Sequence, residues 1–164
     1  VWQILTARKI IKIKGEKIGT IDPVIIKDPE LLMPKRATKG SAGYDMMMPV
    51  SVNFRSAHIS VKPHVYFDTY IKIEDMPSDM VGLVFLRSSV GITKGFVLDN
   101  AVAVIDSDYK DTIKISMHGV DTRAYNELKA GDRIAQIVFM KYHTVDDEIE
   151  PNQDRDGGIG STGQ

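Results

Sequence analysis

The stretch from 57 to 75 constrains the fold of this chain more than any other. Within it Val65, Phe67, Thr69, Ile71 and Ile73 alternate with Tyr66, Asp68, Tyr70, Lys72 and Glu74. Successive side chains of a strand point to opposite faces, so this period predicts one half-buried antiparallel strand with an apolar and a wet face. Pro63 and Pro77 punctuate its ends. Such a face has to be covered by a second layer. Further strands are predicted at 81–86, 95–98, 101–105, 111–117 and 134–142. Turn signals recur about every ten residues, the spacing of an all-β sandwich or barrel. Residues 8–18, RKIIKIKGEKI, alternate loosely and read as another strand interrupted at Gly15. Residues 19–36 hold Pro23, Pro29 and Pro34 and are expected to be extended, turn-rich or edge chain, not helix. Helical turns are expected only at 88–92 and 126–128.

Composition narrows the chemistry. The 164 residues include no cysteine, which excludes disulfides and thiolate sites and fits a reducing intracellular setting. No apolar run approaches the roughly 18 residues of a membrane span, and no signal-peptide pattern appears. A net charge of −1 gives no general attraction for membranes or nucleic acid. The charge is uneven, however. Residues 1–40 carry nine Lys or Arg against four acids, and 144–164 carry six acids against Arg155 alone. Two solvated ends of opposite sign account for this; the alternative is that the ends attract each other within or between subunits. From Asp146 onward hydrophobicity collapses and Gly157, Gly158, Gly160 and Gly163 accumulate. The organisation expected is one β domain over 1–145, with a basic extension at 1–33, followed by a flexible arm at 146–164. Met46–Met48 read as core filler or an edge contact. His58, His64, His118 and His143 lie far apart without metal-ligand spacing and are read as structural.

The residues that carry chemistry cluster at predicted strand ends, where rigid sheets present functional groups. The apolar run Leu83–Leu86 stops at Arg87-Ser88-Ser89. A tight hairpin is signalled at Asp99-Asn100 between two apolar runs, the second of which ends at Asp106, with Tyr109 three residues on. Five segments then fall into register: ATKGSAGYD (37–45), LRSSVG (86–91), DNAVAVIDSDYKD (99–111), GDRIAQIVF (131–139) and RDGGIGSTG (155–163). In order and spacing, from about Pro34 to Gln164, they closely resemble the five motifs of the trimeric deoxyuridine triphosphate nucleotidohydrolases, the dUTPases. The resemblance implies a jelly-roll-like, distorted β-barrel subunit in a homotrimer. Each active site would lie between subunits, be built from all three chains and be closed by the Gly-rich arm. The implied reaction takes dUTP and water to dUMP and pyrophosphate with Mg²⁺ on the triphosphate. It would keep uracil out of DNA and supply dUMP for dTMP synthesis.

The same resemblance assigns roles that suit the residues' chemistry. Arg87 brings a planar fork of donors to phosphate oxygens. Ser88, with Ser89 beside it, bonds near the α–β bridge where leaving-group charge develops. Gln136 adds an uncharged amide, and Arg155, Gly160 and Ser161 add donors from the arm. Asp106 is the general base for in-line attack on the α-phosphorus. Asp45 reaches Mg²⁺ through water and helps orient that base. Asn100 complements the uracil edge, and Tyr109 lies under the sugar and excludes a ribose 2′-hydroxyl. Read without the resemblance, Asp106-Ser107-Asp108 is a turn cap, Asn100 a hairpin residue and Arg87 a surface ion pair.

Departures from the family pattern are specific. Leu86 stands where Pro is usual, Asp99 where Gly is usual, Lys110-Asp111 where Arg-Gly is usual, and His118 near a usual Asn. Ile159 stands where a Phe commonly stacks on uracil, which predicts weaker substrate affinity or looser arm closure. A dCTP deaminase would carry Glu ten residues after Asp106, and Ser116 stands there instead. A third reading keeps the fold as a regulatory binding protein, with the basic extension as an arm for a protein partner; a trimer-decorating strand is the plainer account of the same residues.

Overall fold

The computed structural model describes residues 2–4, 29–53, 63–125, 127–147, 149 and 155. Among them eleven strands form: β1 (Trp2–Ile4), β2 (Tyr44–Met47), β3 (Val52–Asn53), β4 (His64–Asp68), β5 (Ile71–Ile73), β6 (Met80–Leu86), β7 (Phe96–Leu98), β8 (Ala103–Ile105), β9 (Lys114–Gly119), β10 (Glu127–Leu128) and β11 (Arg133–Lys141). Every pairing is antiparallel. One sheet runs β2-β11-β6-β8, a second β4-β9-β7, and β1–β5 and β3–β10 form two further ladders. A single core joins them: Met46, Val84 and Ile137 from the first sheet meet Phe67, Phe96, Ile115 and Met117 from the second. The fold is therefore all-β and layered, as expected. Among the described residues the ladders stay separate, so no closed barrel forms.

Alternation predicted burial better than it predicted continuity. Val65, Phe67, Thr69 and Ile71 are all buried. Within its described part, 63–75, the single strand expected over 57–75 is nevertheless two, β4 pairing with β9 and β5 with β1. The break is at Thr69-Tyr70, where Tyr70 takes the left-handed region at φ 59. Asp68 Oδ1 accepts the Tyr70 N–H at 2.7 Å, and the buried Thr69 hydroxyl donates to the Ile113 carbonyl at 2.7 Å. Short polar side chains thus satisfy the backbone where the ladder is interrupted.

Other expectations shift for equally local reasons. Pro29–Leu32 is a helical turn, α1, within the segment expected not to be helical. Proline is acceptable at the first helical position, where its missing N–H has no partner to lose. The turn at 88–92 forms, as a π-helical turn over Ser89–Thr93. The one expected at 126–128 does not: Glu127–Leu128 is β10, bonded to β3, and a 3₁₀ turn at Thr122–Tyr125 precedes it. The reverse turn at Asp99-Asn100 is present, with Ala101 N–H bonded to the Leu98 carbonyl at 3.1 Å. It is not a hairpin, because β7 pairs with β9 and β8 with β6, so the turn carries the chain from one sheet to the other. Met46 and Met48 are fully buried, as the core reading of the methionine run expects. The strand expected at 8–18 lies outside the described residues. No helix among the described residues is long and apolar enough to cross a membrane.

Candidate active site

β11 is the long inner strand of its sheet, and it sets the first group of site residues side by side. Gln136 on β11 lies opposite Asp45 on β2 and opposite Phe85 on β6. One step past the end of β6, the Arg87 N–H donates to the Ile134 carbonyl at 2.9 Å, holding that arginine against β11. Asp45 is only 2 % exposed. Arg87 Nη1 donates to its Oδ1, and Arg133 Nη1 donates to its Oδ2 at 3.1 Å. Both oxygens of this buried carboxylate are thus taken by guanidinium groups, which compensate its charge. Arg133 was not singled out from the sequence, although it stands inside GDRIAQ beside residues that were.

Gly43 explains how the Gln136 amide fits. A Cβ at position 43 would lie 2.6 Å from Gln136 Oε1, so the glycine makes room for the amide. Beyond Arg87, Ser88 and Ser89 are exposed at the start of the π-helical turn. A cavity of about 240 Å³ is lined there by Arg87, Ser89, Val90, Lys94, Asp132 and Arg133. Lys94 Nζ is held by the Glu127 carbonyl at 2.9 Å and by Asp132 at 3.2 Å. The three cations around this cleft outnumber the two carboxylates that pair with them, Asp45 and Asp132, and with the Ser89 hydroxyl they make it fit for a polyanion.

A second group forms elsewhere. Asp106 directly follows β8, and Arg155 Nη2 bonds its Oδ2 at 2.7 Å. Arg155 Nε lies 3.5 Å from Asp108 Oδ1, and the guanidinium carbon sits 5.6 Å from the centre of the Tyr109 ring. Tyr109 is 8 % exposed and donates its hydroxyl to the Thr112 carbonyl at 3.0 Å. Burial, reinforced by Asp111 and Asp68, pushes its phenol up to about 12, so it stays a neutral donor.

The two groups are well separated within the chain. In the β6–β8 register Ile105 faces Gly82, so Asp106 lies level with Val81, whereas Arg87 follows Leu86 at the other end of β6. Six residues of strand at about 3.3 Å each put them on the order of 20 Å apart.

The turn with the exposed Asn100 forms a third group, which includes two of the histidines read as lying apart. His64 and His118 face each other across β4 and β9, and both reach Asp99. Spacing along the sequence could not reveal this, because the strand register brings them together over more than fifty residues of chain. Ile159, Gly160 and Ser161 lie outside the described residues.

With this geometry in place, known proteins give it a context. The sequence model of the dUTPase family matches residues 30–163. The chain belongs to the dUTPase family. The deoxyuridine 5'-triphosphate nucleotidohydrolase of Corynebacterium efficiens is 32% identical over 155 residues, covering 91% of this chain and 82% of that protein. The crystal structure of a dUTPase from Streptococcus mutans aligns with a TM-score of 0.58 and 34% identity, over 71% of this chain and 91% of that one. A mutant dUTPase from phage phi11 of S. aureus, whose structure details the coordination of a structural Mg(II) ion, shares the fold at a TM-score of 0.55 and 19% identity, covering 73% and 90%. The family match spans all five motif segments, including those that fold into the separated groups above.

Proposed function

We propose that this chain hydrolyses dUTP to dUMP and pyrophosphate, as an enzyme of the dUTP diphosphatase type. Membership of the dUTPase family supports the substrate and the reaction. One observation carries the mechanism: the Asp45–Arg87–Gln136 group and Asp106 occupy opposite ends of β6, too far apart to act together on one triphosphate. A complete site then needs Asp106 of one copy set against Arg87 of another. Membership of the dUTPase family makes a homotrimer with three shared sites the assembly we infer.

In this reading the cleft at Arg87 takes the triphosphate. Held on Asp45 through Nη1, Arg87 offers its other guanidinium donors to the phosphates, Ser88 and Ser89 donate near the α–β bridge, and Gln136 adds an amide. Asp106 accepts the proton of the attacking water, whose oxygen bonds the α-phosphorus as the α–β bridging bond breaks. Tyr109 underlies the sugar and Asn100 meets the uracil edge. The arm over 146–164 brings Arg155, Ile159, Gly160 and Ser161 over the bound nucleotide. Pairing of Arg155 with Asp106 gives that arm a resting place beside the base.

Mg²⁺ fits this site only as a passenger of the substrate. Among the described residues no group of three or more His, Asp or Glu could hold a metal, and both Asp45 oxygens are occupied. The cleft's own cations would repel a free one. Bound to the triphosphate, Mg²⁺ would neutralise phosphate charge and align the α-phosphorus. The chain itself supplies donors, a base and an enclosed site. We place this activity in the cell interior, where deoxynucleotides are made, with no membrane or nucleic acid as partner.

The test is pyrophosphate release from dUTP, dCTP, dTTP and UTP with Mg²⁺, comparing wild type with Asp106→Asn. Release from dUTP alone, reduced about 10²–10⁴-fold in the variant, is expected. Mixing Asp106→Asn chains with chains ending at residue 145 should restore part of the activity. No regain on mixing would argue against shared sites.

A further inference from the structure

Two departures from the family pattern, nineteen residues apart in sequence, meet in space. Asp99 stands where Gly is usual and His118 near a usual Asn, and His118 Nδ1 bonds Asp99 Oδ1 at 2.5 Å. His64 Nε2 bonds the other oxygen, Oδ2, at 2.8 Å, and the Ser116 hydroxyl bonds that same oxygen. The Asp99 N–H also donates to the Ser116 carbonyl at 3.0 Å. An ionised carboxylate only accepts, so each of these ring nitrogens carries its proton and donates. Partial burial opposes the charge on Asp99, but the hydrogen bonds from Ser116, His118 and His64 outweigh it and hold the carboxyl down at about 2.

What this arrangement holds is the next three residues. Ala101 sits in the left-handed region at φ 58, and the Val102 N–H folds back on the Asn100 carbonyl at 2.6 Å. A left-handed alanine is strained by its Cβ and persists only where its surroundings over-determine it. Asn100 is exposed, and it is the first residue of β7–β8 chain beyond the Asp99 anchor. A side chain fixed on β4 and β9 therefore sets the direction in which a loop residue leaves the sheet.

We propose that Asp99, gripped by His64, His118 and Ser116, is a positioning residue for pyrimidine recognition, fixing the strained 100–102 turn so that Asn100 meets the base in a preset orientation. This rests on the reading of Asn100 as the base-contacting residue. Asp99 acts through the turn and touches no reacting atom. Its loss weakens binding of dUTP while leaving the chemical step alone. His64, His118 and Ser116 act only through Asp99, so their effects vanish once it is gone.

The experiment compares Asp99→Ala, Asn100→Ala and Asp99→Ala/His118→Ala with wild type, by steady-state hydrolysis of dUTP and by amide hydrogen exchange of the unliganded protein. Expected for Asp99→Ala are faster exchange at the Ala101 and Val102 amides, a rise of about five- to tenfold in KM and a kcat within about threefold of wild type. The preference for dUTP over dCTP should fall by a similar factor, and adding His118→Ala should change nothing further. Unchanged exchange and unchanged KM in Asp99→Ala, with KM raised in Asn100→Ala, would overturn the positioning role and leave the base reading standing. Faster exchange with KM unchanged in both Asp99→Ala and Asn100→Ala would overturn the base reading, and the positioning role with it. A drop in kcat as large as the rise in KM would also overturn it, by placing Asp99 in the chemical step.

Discussion

Replacing Asp45 by asparagine separates the charge of this buried carboxylate from its shape. Breaking a buried ion pair by removing one partner commonly costs about 3–5 kcal/mol. Two features of this site lower that figure. The Asp45 side chain is 3 % exposed, but those of Arg87 and Arg133 are 24 % and 50 % exposed, so both guanidinium groups can turn toward water. Asparagine also keeps one oxygen that can accept from one of them. The expected loss is about 2–3 kcal/mol, at the lower edge of the range for buried pairs. For a chain of this size each kcal/mol shifts Tm by roughly 2–4 °C, so thermal unfolding should move down by about 4–12 °C. The scan has to be run at one fixed protomer concentration, because an oligomer's Tm depends on it. Arg87 loses the contact that aims it, so kcat/KM should fall about a hundredfold in the same variant. A Tm within about 1 °C of wild type together with unchanged kcat/KM would refute the reasoning, because it would make the paired charges idle.

The remaining predictions test other parts of the chain. Asp99 has a folded-state pKa of about 2, below its ordinary value of 3.8, so its contribution to stability is present above that ordinary value and is lost as pH falls toward 2. Asp99→Asn should therefore flatten stability against pH between about 4 and 2, as read by urea unfolding. Gly43→Ala would put a methyl group 2.6 Å from Gln136 Oε1 and displace that amide; KM for dUTP should rise by about tenfold or more, with Tm lowered by a few degrees. Ile159→Phe should lower KM, because a ring stacked on a base is worth about 1–3 kcal/mol, and an unchanged KM would remove Ile159 from the base's surroundings.

Much of the fold could be read from which residues alternate. The faces of β4 and β9 follow from periodicity because burial repeats with the pleat. The interruption at Thr69-Tyr70 could not be read that way, since the alternating pattern continues undisturbed through a residue at φ 59. Asp68 and Thr69 were the available signal, as short polar side chains able to bond nearby backbone. The site was legible only through the five-segment resemblance. Nothing in residue spacing places Asp45 beside Arg87, forty-two positions on, or beside Arg133. Partnerships set by strand register, such as His64 with His118, are invisible to any local pattern.

The placement of Asp106 and Arg87 at opposite ends of β6 also bears on when activity can appear during synthesis. With the shared site proposed above, a newly made chain carries the side chains the reaction needs and would still not perform it alone. Under that proposal catalysis would begin with encounter between copies, and at protomer levels below the assembly threshold the rate should climb with roughly the third power of concentration. Above that level it becomes linear. Modest changes in expression would then act as a switch on nucleotide clearance, with no effector molecule required.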